Sequence, residues 1–290
     1  MNRIRTVAVF PTVFTLANLI CGFFAIVVAA RVERPTSSEP AAAVDKISFA
    51  NPTRVIKQLD PTNDTHNIML SGWLIFLAMI FDALDGHVAR LARTSTDFGG
   101  QLDSLCDLVS FGVAPGFLLV KMCPAFTYSH DKIWLIAAAF AACAALRLAR
   151  FNVESDEGDD HMHFQGLPSP AAAASVAGFA ILFYELRRAD TPLAFNEEID
   201  RAVQMGLPFY ALLVAMLMVS RIPYPHVVNQ VLRGQRSFGH VVALVFAFVA
   251  IMSIRGYSVP VICTAFVVAP PVKYAIQRVF LRQTAHDPIF

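Results

Sequence analysis

Eight long apolar stretches run through the sequence, and they constrain the fold more than any other feature. Each is close to the roughly 20 residues that an α-helix needs to cross the hydrocarbon core of a bilayer. A backbone that crosses lipid must satisfy its own hydrogen bonds, and a helix does so within one segment. The sequence therefore predicts an all-α, polytopic integral membrane protein, with spans at 8–31, 67–89, 101–122, 133–151, 168–186, 204–221, 238–255 and 257–279.

The composition is typical of a membrane protein and argues against some functions. Of the 290 residues, 16% are charged, whereas a soluble domain usually has about a quarter. The net charge of +1 gives no basis for binding nucleic acid, so no such partner is expected. The apolar run from Val7 to Ala30 is long for the core of a signal peptide, and we interpret it as a retained first helix.

Four aspartates lie at or beside the ends of the second and third spans. Asp82 and Asp85 are three residues apart, and Asp103 and Asp107 are four apart, so each pair shares one face of a helix. Residues 91–98 include a polar turn, and folding back there brings both pairs to the same end of the bundle. Four clustered carboxylates would repel each other strongly. Oxygen-preferring divalent cations, Mg²⁺ or Mn²⁺, relieve this repulsion, and two such ions suit a displacement at phosphorus.

Three further residues of this segment suit a phosphate-containing ligand. Gly86 and Gly99 lack side chains where a nucleotide or diphosphate needs close approach to the backbone. Arg90 offers a planar array of donors to phosphate. A lone Asp at a span end is usually a helix cap or an interfacial partner of Arg. Two pairs at these spacings, beside the glycines and Arg90, favour a functional site instead.

The segment resembles the signature of the CDP-alcohol phosphatidyltransferase family, D-x2-D-G-x2-A-R-x8-G-x3-D-x3-D. All eight specified positions are met, by Asp82, Asp85, Gly86, Ala89, Arg90, Gly99, Asp103 and Asp107. The resemblance implies that the four aspartates bind two divalent cations, and that Asp107 is also the base that activates the hydroxyl of an acceptor alcohol. It also implies a site for a CDP-activated lipid, lined by Gly86, Ala89, Arg90 and Gly99.

The same resemblance bears on the organisation of the chain. Enzymes of this family generally have a core of six transmembrane helices and are typically homodimers. We therefore expect residues 1–226 to form the catalytic transmembrane core. Residues 227–290, which contain the last two predicted spans, are expected to be an additional C-terminal helix pair.

Other segments are similar to the bacterial phosphatidylserine synthase branch of that family. They are 11–22, 145–152, 166–171 and 219–225. The resemblance makes CDP-diacylglycerol the expected lipid, L-serine the expected acceptor, and Asn18 a candidate for the nucleotide site. Arg147 and Arg150 are three residues apart at a span end, and Asn152 follows them. All three are candidates to bind the serine carboxylate or the lipid phosphate, and the alternative is anchoring of the helix at the interface.

Orientation and acceptor are less constrained by the sequence. Lysine and arginine are divided almost evenly between the two sides, so charge does not fix the orientation. Because a CDP-lipid and serine are cytosolic, we expect the carboxylate end to face the cytoplasm, in a bacterial inner membrane. Glycerol 3-phosphate, an inositol phosphate and choline remain alternative acceptors for the same chemistry. An ion or proton transporter is the alternative of another class, although transporter sites tend to lie near the bilayer midplane on broken helices.

Overall fold

Long helices make up almost all of the part of the chain that the computed structural model describes, which is residues 9–32, 64–92, 97–124, 126, 132–156, 166–187, 196–224 and 257–280. The helices there are α1 (Val9–Ala30), α2 (Asp64–Ala92), α3 (Asp97–Asp107), α4 (Ala114–Met122), α5 (Ile133–Asp156), α6 (Ser169–Leu186), α7 (Asn196–Val219) and α8 (Ser258–Phe280). A π-helical segment, Leu108–Val113, joins α3 to α4, so these three elements form one continuous span.

Seven helical spans in the described residues are long and apolar enough to cross a membrane. They are Thr12–Ala30, Asp64–Gly86, Phe98–Met122, Ile133–Val153, Ser169–Leu186, Glu198–Val219 and Ser258–Ile276. Each coincides with a span predicted from hydropathy, and the eighth predicted span, 238–255, lies outside the described residues. The protein is thus an all-α integral membrane protein, as the sequence predicts.

The clearest difference from the predicted spans is at the start of α7. Hydropathy predicts a start at residue 204, whereas the helix begins at Asn196. The extra turns are polar and are held to the end of α6. Arg187 Nε donates to Asp200 Oδ1 at 3.1 Å, and Gln204 Nε2 donates to Asp200 Oδ2 at 2.7 Å. Hydropathy detects only the apolar part of a helix, so polar turns stabilised in this way fall outside the predicted span.

Two spans form the interior of the bundle. The α3–π–α4 span and α6 are 67% and 72% buried, whereas α8 is only 11% buried and lies against the outer side of α6. Helix α1 packs along α2 and also contacts the α3–π–α4 span, while α5 packs against α7 and the π-helical segment. The continuous span α3–π–α4 is therefore enclosed by other helices along most of its length.

Helix α1 approaches this central span closely at Gly22. A Cβ atom on Gly22 would lie 2.7 Å from the Cα atom of Ser110, which is in the π-helical segment. That distance is too short for two carbon atoms, so the absence of a side chain at Gly22 is what lets the helices approach. This contact sets the position of α1 beside the residues that follow Asp107.

We predict that Gly22→Ala lowers the unfolding temperature of the purified protein, because the added methyl group clashes with backbone in a packed interior. Overpacking of this kind costs about 1–3 kcal/mol. Gly206→Ala is the matched control, since a Cβ there would meet no atom within 4 Å and Gly206 lies within α7. Alanine at an open helical position is favourable by up to about 1 kcal/mol. Equal unfolding temperatures for the two variants would contradict the close approach.

Candidate metal and active site

The four signature aspartates lie at one end of the bundle, on two helices. Asp82 and Asp85 are in the last turns of α2, and Asp103 and Asp107 are in α3. Asp85 and Asp107 are buried, with 5% and 7% of their surface exposed, and Asp82 and Asp103 are half-buried. The packing of both helices against α1 keeps these carboxylates at the edge of the apolar interior rather than in open solvent.

Three of the four carboxylates converge. One oxygen each from Asp82, Asp85 and Asp103 can be chosen so that all three lie within 4.8 Å of one another. Two oxygen ligands on opposite sides of a divalent cation are about 4 to 5 Å apart, since each metal–oxygen bond is about 2.0 to 2.6 Å. The separation of these oxygens therefore fits a shared ion.

The surroundings of the three carboxylates also suit a cation. Asp85 Oδ2 and Asp103 Oδ1 are buried and accept no hydrogen bond within the described part of the chain. A buried acceptor without a donor costs free energy, and like charges at this distance add repulsion. A hard divalent ion such as Mg²⁺ or Mn²⁺ would satisfy both oxygens and neutralise the charge. The residues present therefore fit a bound divalent metal.

Asp107 lies beside this group and has a partner of its own. Its Oδ1 accepts a hydrogen bond of 2.9 Å from Asn18 Nδ2 on α1. Asp82, Asp85 and Asp103 are near enough to act on it electrostatically. The structure thus brings Asp107 to the site but leaves it outside the three oxygens that converge, and its role as a metal ligand stays a prediction.

Arg147 extends the site onto α5. It is buried, its Nη1 donates to Ser169 Oγ at 3.2 Å, and its positive charge acts on Asp82. Ser169 is the first residue of α6, so this hydrogen bond joins the site end of α5 to the start of α6. A guanidinium group in such a position is suited to bind an anionic part of a ligand.

Arg150 and Asn152 make hydrogen bonds that join helices. Arg150 Nη1 donates to the carbonyl oxygen of Val219, the last residue of α7, at 3.0 Å. Asn152 Nδ2 donates to Ser104 Oγ on α3 at 3.0 Å. A cation at the C-terminal end of a helix is favourable for the helix dipole. These contacts give both residues a structural role, and their role in ligand binding stays a prediction.

The predicted lipid-binding positions are described only in part. A Cβ atom on Gly86 would meet nothing within 4 Å, so the space beside it is open, while Gly99 is half-buried. The backbone of Ala89 and Arg90 continues α2, but their side chains lie outside the described residues. The binding of a CDP-lipid by these residues stays a prediction.

Two residues of the site are absent from the sequence predictions. The hydroxyl of Thr15 donates a hydrogen bond to the Asp85 carboxylate, and Ser169 accepts the bond from Arg147. A Thr or Ser in an apolar helix often bonds its own backbone, so its type alone carries little signal. The spacing of three residues between Thr15 and Asn18, which puts both on one face of α1, is the pattern that would have indicated Thr15.

Together, the fold and site define a polytopic membrane protein with a cluster of carboxylates, at one end of its helices, that could hold a divalent metal ion. A sequence model of the CDP-alcohol phosphatidyltransferase family matches residues 8–219 of the chain. The match covers most of the chain and includes all four aspartates and the two helices that carry them. The chain belongs to this family.

Named relatives are similar to the chain over about half of its length. A CDP-diacylglycerol–serine O-phosphatidyltransferase of Methanocaldococcus jannaschii is 38% identical over 158 residues, which is 54% of this chain and 65% of the relative. One of the same name from Helicobacter pylori is 35% identical over 163 residues, 56% of this chain and 63% of the relative. An archaetidylserine synthase of Methanothermobacter thermautotrophicus is 36% identical over 156 residues, 53% and 57% of the two chains. The chain thus covers less than two thirds of each relative.

We predict that Asp85→Asn weakens Mn²⁺ binding by about tenfold or more. Residues that only hydrogen-bond to a metal ligand already change metal affinity about 10- to 100-fold, and the loss of a ligand itself should cost at least as much. Binding is measured from the electron paramagnetic resonance signal of free Mn²⁺ during titration of the purified protein. Glu198→Gln is the matched control, because it removes an exposed carboxylate of α7. Unchanged Mn²⁺ affinity in Asp85→Asn would contradict the shared-ion geometry.

Proposed function

We propose that this protein transfers the phosphatidyl group of CDP-diacylglycerol to the hydroxyl group of L-serine, which gives phosphatidylserine and CMP. The observation that carries the proposal is the convergence of Asp82, Asp85 and Asp103, two of which have a buried oxygen that accepts no hydrogen bond from the described residues. Membership of the CDP-alcohol phosphatidyltransferase family supports the type of reaction. The names of the three relatives support serine as the acceptor.

In the proposed mechanism, Asp82, Asp85, Asp103 and Asp107 would hold two divalent cations, Mg²⁺ or Mn²⁺, at the end of α2 and α3. When bound, the cations supply positive charge to the diphosphate and to the oxygens that attack and leave the phosphorus. Gly86, Ala89, Arg90 and Gly99 line the CDP site. The acyl chains lie beside the helices in the hydrocarbon core of the bilayer, where they are not exposed to water.

The proton transfer is assigned to Asp107. Its carboxylate takes the proton of the serine hydroxyl as the serine oxygen attacks the phosphorus that carries diacylglycerol. The bond between this phosphorus and the CMP phosphate oxygen breaks, and CMP leaves. The position of Asp107 beside the other three carboxylates and its hydrogen bond from Asn18, which fixes one of its oxygens, support this role.

Arg147 is the proposed partner of the serine carboxylate. The buried guanidinium is held by Ser169 and acts on Asp82, which puts a positive charge next to the carboxylate centre. This favours an acceptor that carries an anionic group, such as the carboxylate of serine, over choline, whose only charged group is a cation. Glycerol 3-phosphate and an inositol phosphate remain alternatives with the same chemistry. Arg150 and Asn152 already bond to Val219 and Ser104, so any contact that they make with the acceptor would be in addition to these bonds.

The location of the substrates gives the proposed orientation. They are cytosolic, so the carboxylate end would face the cytoplasm of a bacterial inner membrane. We also propose a homodimer, as is typical of the family. Residues 1–226 would be the catalytic core, which the family match to residues 8–219 supports, and residues 227–290 an addition to it.

We predict that purified protein releases CMP from CDP-diacylglycerol with serine and Mn²⁺ or Mg²⁺, and that Asp107→Asn lowers turnover about 10²-fold or more, because the acceptor loses its base. Chromatography of the lipid product identifies the acceptor when glycerol 3-phosphate, inositol 1-phosphate and choline are tested in parallel. A product with one of these and none with serine would overturn the acceptor. Near-normal turnover of Asp107→Asn would overturn the role of the base.

We also predict that Arg147→Lys raises the KM for serine about tenfold, since a charge-assisted hydrogen bond contributes about 1.5–3 kcal/mol and lysine lacks the planar fork of arginine. The positive charge near Asp82 is retained, so the metal site is little changed. Arg187→Lys is the control, because Arg187 follows the opposite end of α6 and pairs with Asp200. An unchanged KM in Arg147→Lys would remove Arg147 from the acceptor subsite.

A further inference from the structure

Helix α1 presents a polar face to the carboxylates, although it is one of the most apolar spans. Thr15, Asn18 and Gly22 are spaced three and four residues apart and lie on the same side of the helix. Thr15 donates to Asp85, Asn18 donates to Asp107, and Gly22 is the close contact with Ser110. One face of α1 therefore touches both aspartate pairs.

The hydrogen bond from Asn18 to Asp107 is fully removed from solvent. Asn18 has 0% of its surface exposed, and the bond from Nδ2 to Oδ1 is 2.9 Å long between residues 89 positions apart. An ionised carboxylate accepts but does not donate, so the amide must turn its nitrogen toward Asp107. Its own Oδ1 is then buried and receives no hydrogen bond within the described residues. A buried acceptor without a donor is unfavourable, so packing alone gives no reason for an asparagine at this position.

A second hydrogen bond fixes α1 in this register. Ser110 Oγ donates to the backbone oxygen of Asn18 at 3.0 Å. Ser110 follows Asp107 by three residues and lies in the π-helical segment, which is wider than an α-helix and often occurs at functional sites. Asn18 thus binds Asp107 with its side chain and Ser110 with its backbone, and Gly22 leaves the room that this requires.

From this geometry we propose that Asn18 is a positioning residue for Asp107. Its amide holds one carboxylate oxygen, so the carboxylate plane cannot rotate freely and the second oxygen is kept in one direction for the proton of the acceptor. The inference rests on the proposed function of Asp107 as the base. It differs from the role in nucleotide binding predicted from the sequence, which would require Asn18 to contact the CDP-lipid.

The test is a double-mutant cycle in purified full-length protein with CDP-diacylglycerol, serine and Mn²⁺. It compares Asn18→Leu, Asp107→Asn and the double variant. Leucine has a similar volume to asparagine but no amide. We expect Asn18→Leu to lower kcat about 10- to 100-fold, as for the loss of one orienting hydrogen bond at a site. The KM for CDP-diacylglycerol should change less than about threefold, because uniform substrate binding is not touched.

The double variant distinguishes a role through Asp107 from a general loss of structure. Once Asp107 is replaced, the change at Asn18 should lower kcat by less than about twofold, since residues that act as a unit are not additive. Ser71→Ala is the matched control, because Ser71 Oγ makes a buried hydrogen bond of the same 2.9 Å to α1, at the Ala25 oxygen, away from the aspartates. We expect this variant to lose stability but to keep its kcat.

The results for Asn18 and for Asp107 can fail independently. Equal losses from Asn18→Leu in both backgrounds, or a change confined to the KM for CDP-diacylglycerol, would overturn the positioning role alone. Near-normal turnover of Asp107→Asn would overturn the proposed base and the inference with it. Mn²⁺ affinity, measured by electron paramagnetic resonance, should fall no further in Asn18→Leu than in Asp107→Asn, because Asn18 acts on the site through Asp107. A larger fall would count against the inference. Asn18→Ala takes the place of the leucine variant if that variant does not fold.

Discussion

The fold holds four carboxylates together at the edge of an apolar interior, although they repel one another. The chemistry of the site depends on how this repulsion is balanced. Asp82, Asp85 and Asp103 have oxygens within 4.8 Å of one another, and Asp107 is close enough to feel all three. Like charges at such distances, partly shielded from water, are unfavourable without a counter-charge. The fold keeps them together through the packing of apolar helices, with the α3–π–α4 span enclosed by its neighbours, and through hydrogen bonds from α1 to Asp85 and Asp107. Divalent cations would supply this counter-charge without a change in the packing of the helices.

The charged and amide residues near this end fall into two groups by their contacts. Asn18 bonds to Asp107 itself, and Arg147, which bonds to Ser169, brings a positive charge near Asp82. Arg150 and Asn152 bond to the end of α7 and to α3, and so hold helices together. Both groups support the proposed function, because a two-metal site would work only if the helices that carry its ligands keep a fixed separation.

Much of this could be predicted from the sequence, because the relevant signals are local. The length of the apolar stretches predicts the spans, and the spacings of Asp82 with Asp85 and Asp103 with Asp107 predict which side chains share a helix face. The contact of Asn18 with Asp107 could not be predicted in this way. It joins residues 89 positions apart and depends on the close approach at Gly22 and on the π-helical segment, neither of which has a periodic signal. For the same reason the sequence does not distinguish Arg147, which reaches the site, from Arg150, which binds the end of α7.

The most direct test of the account is the location of bound metal. Crystals of the full-length protein grown with Mn²⁺, measured on both sides of the manganese absorption edge, give an anomalous map in which only manganese stands out. We expect a peak within about 2.5 Å of carboxylate oxygens from Asp82, Asp85 and Asp103, at the shared end of α2 and α3. Manganese peaks elsewhere, with these three side chains directed apart, would contradict the account.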